Sequence, residues 1–231
     1  MFGQVGETNL DLKFGLFGIP VRIHPLFWLI GILLGLDTLR AGPEFLMAWL
    51  LVLLVSILVH ELGHASVAKY FGFRPHIVLH SLGGYAAYAP VGRYNRGQSL
   101  AILFAGPGAG FIFGAISLLA GPPLLRLAAG VAPERTMSLL YFVEANLVWV
   151  NIIWSAVNLL PVFPLDGGQI CRDILTYFDR RQGVVRTYWV SVIVGGLTGA
   201  YFLSAEMFYP GILFLLLAFQ SYQALQMSRW Q

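Results

Sequence analysis

Six apolar stretches alternate along the chain with short segments that hold most of its charged residues. An α-helix needs ~20 predominantly apolar residues to cross the hydrocarbon core of a bilayer, and five of the stretches approach or exceed that length. The first is shorter, and its ends are poorly marked. The pattern predicts an α-helical integral membrane protein of about six transmembrane helices, over residues 26–36, 45–70, 99–119, 138–160, 185–203 and 207–225.

A more polar segment between the second and third stretches has the pattern of a β-hairpin. Residues 77–82 and 85–89 flank the pair Gly83-Gly84, which we interpret as a two-residue turn. We therefore expect a small membrane-associated β-hairpin between helices two and three. His76 and His80 lie in this segment, but isolated histidines lack the spacing of zinc ligands.

The composition also indicates a membrane setting, because 58% of the residues are hydrophobic and 11% are charged. We expect a single membrane-embedded domain over residues 1–231, with no appended sensory or peptide-clamping domain. Residues 1–25 lack the features of a cleavable signal peptide, so they are interpreted as a retained interfacial segment. Residues 226–231 would form a short cytoplasmic tail.

Two further features of the composition exclude classes of site. The net charge is +3 and no cluster of Lys or Arg occurs, so nothing indicates nucleic-acid binding. Cys171 is the one cysteine, which excludes an intramolecular disulfide and a cysteine-based zinc site.

The distribution of positive charge predicts the orientation in the membrane. If both termini lie on one side, all of the 14 Lys and Arg residues except Arg40, Arg126 and Arg135 fall on that side. Cytoplasmic segments carry the excess of Lys and Arg, so we expect both termini in the cytoplasm. The second helix would then run inward from the outer face.

His60-Glu61-Leu62-Gly63-His64 lies near the inner end of that helix, after residues that are apolar except for Ser56. Two histidines four residues apart share one helix face, where both imidazoles can bind one zinc ion. Glu61 lies about 100° around the helix, within reach of a water at the metal. An ionisable group at membrane depth is costly and is tolerated mainly for function, so the motif predicts a metal site near the cytoplasmic face.

A catalytic zinc site normally has three protein ligands, and Asp166 is the best candidate for the third. It ends the segment Asn158-Leu-Leu-Pro-Val-Phe-Pro-Leu-Asp166, at the inner end of the fourth stretch. That stretch also runs inward, so Asp166 should reach the depth of the histidines. The alternative is that Asp166 caps a helix over residues 169–177. Glu144 is another candidate ligand, but it lies early in the same stretch, on the outer side.

These two motifs, in this order, resemble the site-2 protease family of intramembrane zinc metalloproteases. Residues 18–24 resemble the family's approach to its first span, and Ala105-Gly106-Pro107 resembles its third-span signature. One departure is visible, because many members carry Asn soon after Gly-Pro where this chain has Gly108-Ala109-Gly110. The resemblance covers the chain from about Gly18 to Tyr177.

The resemblance implies one Zn²⁺ per chain, held by His60, His64 and Asp166, with Glu61 as the general base. Asn158 would form a hydrogen bond to the substrate near the scissile bond. The hairpin with Gly83-Gly84 would present a strand edge to an unwound substrate, although it could simply cover the helix bundle. The expected substrate is a transmembrane or membrane-tethered protein cut near the cytoplasmic face, and the expected location is a bacterial inner membrane.

Two other functions use the same residues. One is a different membrane zinc protease in which Glu144 replaces Asp166 as the third ligand. The other is a metal or proton transporter with the intramembrane ionisable groups as its path. Small-residue repeats, Gly106, Gly110 and Gly114 in the third stretch and Gly195 and Gly199 in the fifth, indicate close helix packing within the bundle or a dimer interface.

Overall fold

The computed structural model describes residues 6–80, 83–89, 95–180 and 182–228. Within these ranges the strands are β1 (Leu12–Leu16), β2 (Ile19–Ile23), β3 (Arg74–His80) and β4 (Gly83–Ala89). The α-helices are α1 (Pro25–Gly35), α2 (Pro43–Tyr70), α3 (Arg96–Ala129), α4 (Glu134–Asn158), α5 (Asp166–Phe178), α6 (Gln182–Ser204) and α7 (Phe208–Ser228). A 3₁₀-helix, Leu36–Arg40, follows α1.

Five of the helices in the described ranges, α2, α3, α4, α6 and α7, are long and apolar enough to cross a membrane. This confirms the predicted fold class, a multi-pass helical membrane protein with a small sheet. The first apolar stretch forms α1, which has 11 residues and is therefore too short to span the hydrocarbon core as a single helix.

The ends of α1 and α2 follow from local sequence. Pro25 and Pro43 each occupy the first turn of their helix, where the missing N–H is not needed. The Nδ1 atom of His24 accepts a hydrogen bond from the backbone N–H of Leu26 at 3.2 Å and caps α1. Gly72, with a φ of +84°, follows the last turn of α2 and allows the chain to leave the helix.

The described residues divide into two compact units, the first drawn from within residues 1–94 and 105–155 and the second from within residues 95–104 and 156–231. The first unit holds the sheet, whose strands are arranged in the order β1-β2-β3-β4. Neighbouring strands are antiparallel except β2 and β3, which are parallel. One face of the sheet packs on α1 and α2 in a core that contains Ile19, Val21, Ile23, Phe27, Leu53, Ile57, Ala65, Ile77 and Leu79.

Strands β1 and β2 were not predicted from the sequence. Leu16 pairs with Ile19, so Phe17 and Gly18 form a two-residue turn, and both have positive φ, +51° and +71°. Positive φ at both central positions is the geometry that matches the twist of a hairpin. Each strand has five residues, and β2 is ordered by its parallel pairing with β3, which is distant in sequence.

The hairpin of β3 and β4 is present, but the predicted turn at Gly83-Gly84 is wrong. Both glycines lie in β4, where Gly83 pairs with His80 and Gly84 pairs with Leu79. The intervening residues 81 and 82, part of the predicted first strand, lie outside the described residues. Position 84 requires glycine because the side chains of Glu61 and Leu79 lie too close to its backbone for a Cβ atom. Close approach of other atoms is a common reason for glycine inside a strand.

The second unit is built on α6 and α7, with α5 packed beside α6. A Cβ atom on Gly199 would lie 2.8 Å from Cγ of Leu215 and 3.0 Å from the carbonyl oxygen of Gly211. Val162, Phe214 and Leu217 form the buried core of this unit. The small-residue face of α6 thus packs closely against α7 inside the chain, which is one of the two roles that the repeat of Gly195 and Gly199 indicated.

Candidate metal centre

The histidine motif lies in the second half of α2, whose helix continues through it without a break. His60, Glu61 and His64 are buried, with 4%, 5% and 6% of their surface exposed. The two Nε2 atoms of the histidines lie 3.2 Å apart. Two nitrogen ligands bound tetrahedrally to zinc at about 2.0–2.1 Å are separated by about 3.3 Å, so the pair is already spaced for one zinc ion.

Helix α3 packs closely against α2 at this level because Gly63 and Gly106 carry no side chains. A Cβ atom on Gly63 would collide with the carbonyl oxygen of Ala105, and one on Gly106 would collide with the imidazole of His64. Gly106 belongs to the Ala-Gly-Pro sequence of the third stretch. Glycine at this position leaves room for the ring of His64, which its place in a small-residue repeat did not reveal.

Glu61 faces the sheet. A Cβ atom on Gly84 of β4 would lie 2.8 Å from Cγ and 2.9 Å from Oε1 of Glu61. β4 is an outer strand of the sheet, and this contact brings its backbone against the buried carboxylate. The strand edge and the acid of the motif are thus neighbours, although they are more than 20 residues apart in sequence.

Asp166 is the first residue of α5, and it is buried with 9% of its surface exposed. Leu165, not Asp166, is the N-cap of this helix, and its side chain makes no capping hydrogen bond. The chain before the helix folds back tightly, since a Cβ atom on Gly167 would collide with the carbonyl oxygen of Leu159. Asp166 thus lies one position inside α5, and Leu165 occupies the N-cap position that the capping alternative gave to Asp166.

His60, His64 and Asp166 are all buried, and each offers one atom that a metal ion can bind: an imidazole nitrogen from each histidine and a carboxylate oxygen from Asp166. Two imidazole nitrogens and one carboxylate oxygen are a donor set of catalytic zinc sites. The residues present therefore fit zinc.

A family model described as peptidase family M50 matches residues 48–127 and 124–199. The matches overlap and together contain the histidine motif, Asn158 and Asp166. The chain belongs to peptidase family M50. This confirms the resemblance to site-2 proteases, which the two motifs indicated.

Comparison with individual proteins agrees with the M50 assignment. The chain is 30% identical over 184 residues to a zinc metalloprotease of Methanocaldococcus jannaschii, a match that covers 79% of this chain and 49% of that protein. It is 31% identical over 153 residues to stage IV sporulation protein FB of Bacillus subtilis, covering 66% and 46%. The chain thus spans about half the length of these curated relatives.

A solved structure, the site-2 protease from Methanocaldococcus jannaschii, matches with a TM-score of 0.59 and 25% sequence identity. The match covers 94% of both chains. Together with the names of the curated relatives and the ligand group, it implies that zinc is the metal of this M50 protein.

Glu144, the other candidate ligand, lies elsewhere in α4. A Cβ atom on Gly121 of α3 would contact its side chain, whereas Gly106 of the same helix contacts His64. Fifteen residues of helix separate Gly106 from Gly121, which corresponds to about 22 Å. Glu144 therefore cannot share a metal ion with His64, and the protease hypothesis based on it is wrong.

The remaining predicted residues have defined positions. Asn158 is the last residue of α4 and is buried. His76 and His80 lie in β3, and among the described residues neither belongs to a group of metal ligands. Burial lowers the pKa of His80, which favours its neutral form near neutral pH.

Proposed function

We propose that this chain is an intramembrane zinc metalloprotease that hydrolyses peptide bonds of transmembrane or membrane-tethered proteins near the cytoplasmic face. One observation carries the proposal: two buried histidines in an apolar helix have their Nε2 atoms 3.2 Å apart, with a buried glutamate between them in sequence. Ionisable groups inside an apolar helix are retained mainly for function. Membership of family M50 and the zinc metalloprotease relatives support the same activity.

In this proposal His60, His64 and Asp166 hold one zinc ion per chain. All three are buried, so their donor atoms lie in a medium of low dielectric constant, where their attraction to a metal cation is stronger than in water. When bound, zinc acts as a Lewis acid, which lowers the pKa of a coordinated water to about 7 and polarises the substrate carbonyl.

Glu61 is the proposed general base. Glu61 is buried and directly follows His60 in sequence. It lies about 100° around the helix from His60, and it is not one of the three proposed zinc ligands. It takes a proton from the attacking water and later delivers that proton to the leaving nitrogen. Asn158 donates a hydrogen bond from its side-chain amide to the substrate near the scissile carbonyl.

The outer strand β4 is the proposed docking edge for the substrate. A helical substrate hides its peptide bonds, so it must be extended before hydrolysis. An extended segment can add to the edge of a sheet through backbone hydrogen bonds. Gly83 begins β4, and Gly84 lies against Glu61, so a peptide paired with this end of the strand would lie beside the general base.

Five helices of membrane-spanning length support a multi-pass protein. The distribution of Lys and Arg supports both termini in the cytoplasm of a bacterial inner membrane, and the even number of crossings that this requires is completed by α1 together with the 3₁₀-helix that follows it. A transporter would need further ionisable groups to pass an ion onward. In the part of the chain that the structure describes, His60, His64 and Asp166 make up the one group of metal ligands, which favours the protease.

Zinc content of the detergent-purified protein tests the ligand set. We expect about one zinc per chain in the wild type and in the Glu144→Ala variant, and marked loss in Asp166→Ala. Full retention of zinc in Asp166→Ala would remove Asp166 from the ligand set. A wild type that stays metal-free after zinc is supplied would contradict the enzyme proposal as a whole.

A further inference from the structure

Three small residues of α3 mark three successive levels of the first unit. A Cβ atom on Gly106 would collide with the ring of His64, one on Gly110 would collide with Oγ of Ser155, and one on Gly114 would lie 3.3 Å from Cβ of Asn151. These glycines are spaced four residues apart, which is about 6 Å along a helix. The contacts of these glycines therefore show which residues of α2 and α4 lie at the same height along the helix axes.

Residues of α2 and α4 can be matched in height in the same way. The side-chain amide of Asn151 donates to Oγ of Ser56 at 2.9 Å, so these two residues share the level of Gly114. His64, which lies eight residues after Ser56, is at the level of Gly106. Arg135 in the first turn of α4 also donates to Glu44 in the first turn of α2, at 2.7 Å between Nε and Oε1, so the two helices run in the same direction.

Ser155 therefore lies at the level of His60. Both residues come four positions after a member of the Ser56–Asn151 pair, and Ser155 contacts Gly110, the middle glycine of α3. Ser155 has 1% of its surface exposed and Asn151 has 2%. Among the described residues, Oγ of Ser155 and Oδ1 of Asn151 are buried side-chain atoms without a hydrogen-bond partner.

A buried hydroxyl without a hydrogen-bond partner destabilises the fold, so its retention at the level of a proposed metal ligand needs an explanation. The Nε2 atoms of His60 and His64 converge, which turns Nδ1 of His60 away from the metal position. A metal-ligating histidine normally donates its second ring N–H to a fixed acceptor, which sets the tautomer and the ring orientation. Serine can accept such a bond and still donate its own proton.

We infer that Ser155 is a positioning residue for His60. Its Oγ accepts a hydrogen bond from Nδ1–H of His60 when zinc is bound, and its hydroxyl proton is donated to Oδ1 of Asn151. The amide of Asn151 is already fixed by its bonds to Ser56 and to the carbonyl oxygen of Leu147, at 2.9 and 2.8 Å. These two hydrogen bonds would give partners to Oγ of Ser155 and Oδ1 of Asn151, and they would connect the ring of His60 to the Ser56–Asn151 contact between α2 and α4.

The inference rests on His60 being a zinc ligand, as proposed above. It names a residue of α4 that no sequence motif marks, and it assigns a function to the small residue at position 110. A side chain larger than glycine there would displace the hydroxyl of Ser155.

The test compares zinc affinity and stability in Ser155→Ala, with Ser117→Ala as the matched control. Ser117 is a serine of α3 whose hydroxyl donates to the carbonyl oxygen of Phe113 in its own helix, at 2.9 Å. Zinc dissociation constants are measured by competition with a chromophoric chelator, and the thermal unfolding of the metal-free proteins is measured in the same detergent.

We expect zinc affinity to fall about 10-fold or more in Ser155→Ala and to stay at the wild-type value in Ser117→Ala. The metal-free Ser155→Ala protein should be as stable as the wild type, because the variant removes a hydroxyl that has no partner. Ser155→Cys, which keeps the shape but weakens the acceptor, should have an intermediate affinity.

Two results would overturn the inference. One is a zinc affinity in Ser155→Ala equal to that of the wild type. The other is a loss of affinity matched by a loss of stability in the metal-free protein, which would indicate a packing role. A wild type that binds no zinc would instead contradict the proposed function, so the two failures are distinguishable.

Discussion

Gly106 of α3 lies directly against the imidazole ring of His64 in α2, so closely that a Cβ atom there would overlap the ring nitrogen Nε2. The two residues are 42 positions apart in sequence. The packing of α3 on α2 therefore affects the metal centre directly, because Nε2 of His64 is also the atom that lies close to Nε2 of His60.

Gly106→Ala should therefore weaken zinc binding. Overpacking of this kind costs about 1–3 kcal/mol, and the ring of His64 would have to move to relieve it, which corresponds to a loss of about 10-fold in zinc affinity. Gly108→Ala is the matched control, since a Cβ atom on Gly108 has no neighbour within 4 Å. Zinc titration of both variants gives the answer, and equal affinities would show that the ring tolerates the methyl group.

Gly84→Ala should lower the proteolytic rate while leaving zinc content unchanged. The added methyl group would press on Glu61 and on the side chain of Leu79, each 2.8 Å from the new Cβ atom, and would shift the carboxylate of the general base. Peptide hydrolysis and zinc content are measured on the same preparation.

The control for this variant is Gly15→Ala in β1, where a Cβ atom has no neighbour within 4 Å. A rate in Gly84→Ala equal to that of Gly15→Ala would separate β4 from the catalytic group. Loss of zinc together with activity would mean that the strand supports the ligands rather than Glu61.

Glu61→Gln should retain zinc and lose most of its activity. Glutamine preserves the size of the side chain but cannot accept a proton, and removal of a general base typically costs about 10²- to 10⁴-fold in rate. Glu134→Gln, which changes an exposed carboxylate at the start of α4, serves as the control. If Glu61→Gln loses its zinc, Glu61 is a ligand and the proposed ligand set is incomplete.

The N-terminal part of the sheet should make stability depend on acidic pH. The hydroxyl of Thr8 donates to Asp11 at 2.6 Å, and with the further hydrogen bond from Arg22, at 3.0 Å, it lowers the pKa of that carboxyl from 3.8 to about 2. A carboxyl with a lowered pKa in the folded state stabilises the fold above its unfolded pKa. This contribution is complete above about pH 4 and is lost as the pH falls towards 2.

Thermal unfolding in detergent between pH 2 and pH 5 checks this dependence, with Asp11→Asn as the comparison. The wild type should be the more stable protein at the upper end of this range, and the difference should shrink as the pH falls. A difference that does not change with pH would show that the hydrogen bonds of Asp11 do not depend on its charge.

The local features of this protein were predicted from sequence because they depend on residues that are close together in the chain. Apolar stretches of about 20 residues specify membrane-spanning helices, and the spacing of His60 and His64 specifies two ligands on one helix face. The two motifs also indicated the family. The first apolar stretch was less well predicted, because the 11 residues of α1 are fewer than a single membrane-spanning helix needs.

The positions of Gly83 and Gly84 could not be predicted from local sequence. Two adjacent glycines between strands are typical of a turn, yet both pair within β4, because the backbone at position 84 must approach the side chain of Glu61. A glycine that provides conformational freedom and one that provides space look the same in sequence. The pairing of β2 with β3 likewise joins segments that are more than 50 residues apart, so no local pattern indicates it.

The sequence by itself determined the membrane-spanning helices and the histidine pair, since hydropathy and helical spacing act within single elements. The tertiary structure decided which residues surround the histidines. Gly106 beside His64, Gly84 beside Glu61 and Ser155 at the level of His60 all depend on how closely separate elements pack. That closeness is set by the absence of side chains at the crossings and by the Ser56–Asn151 hydrogen bond, contacts that form only when distant segments meet.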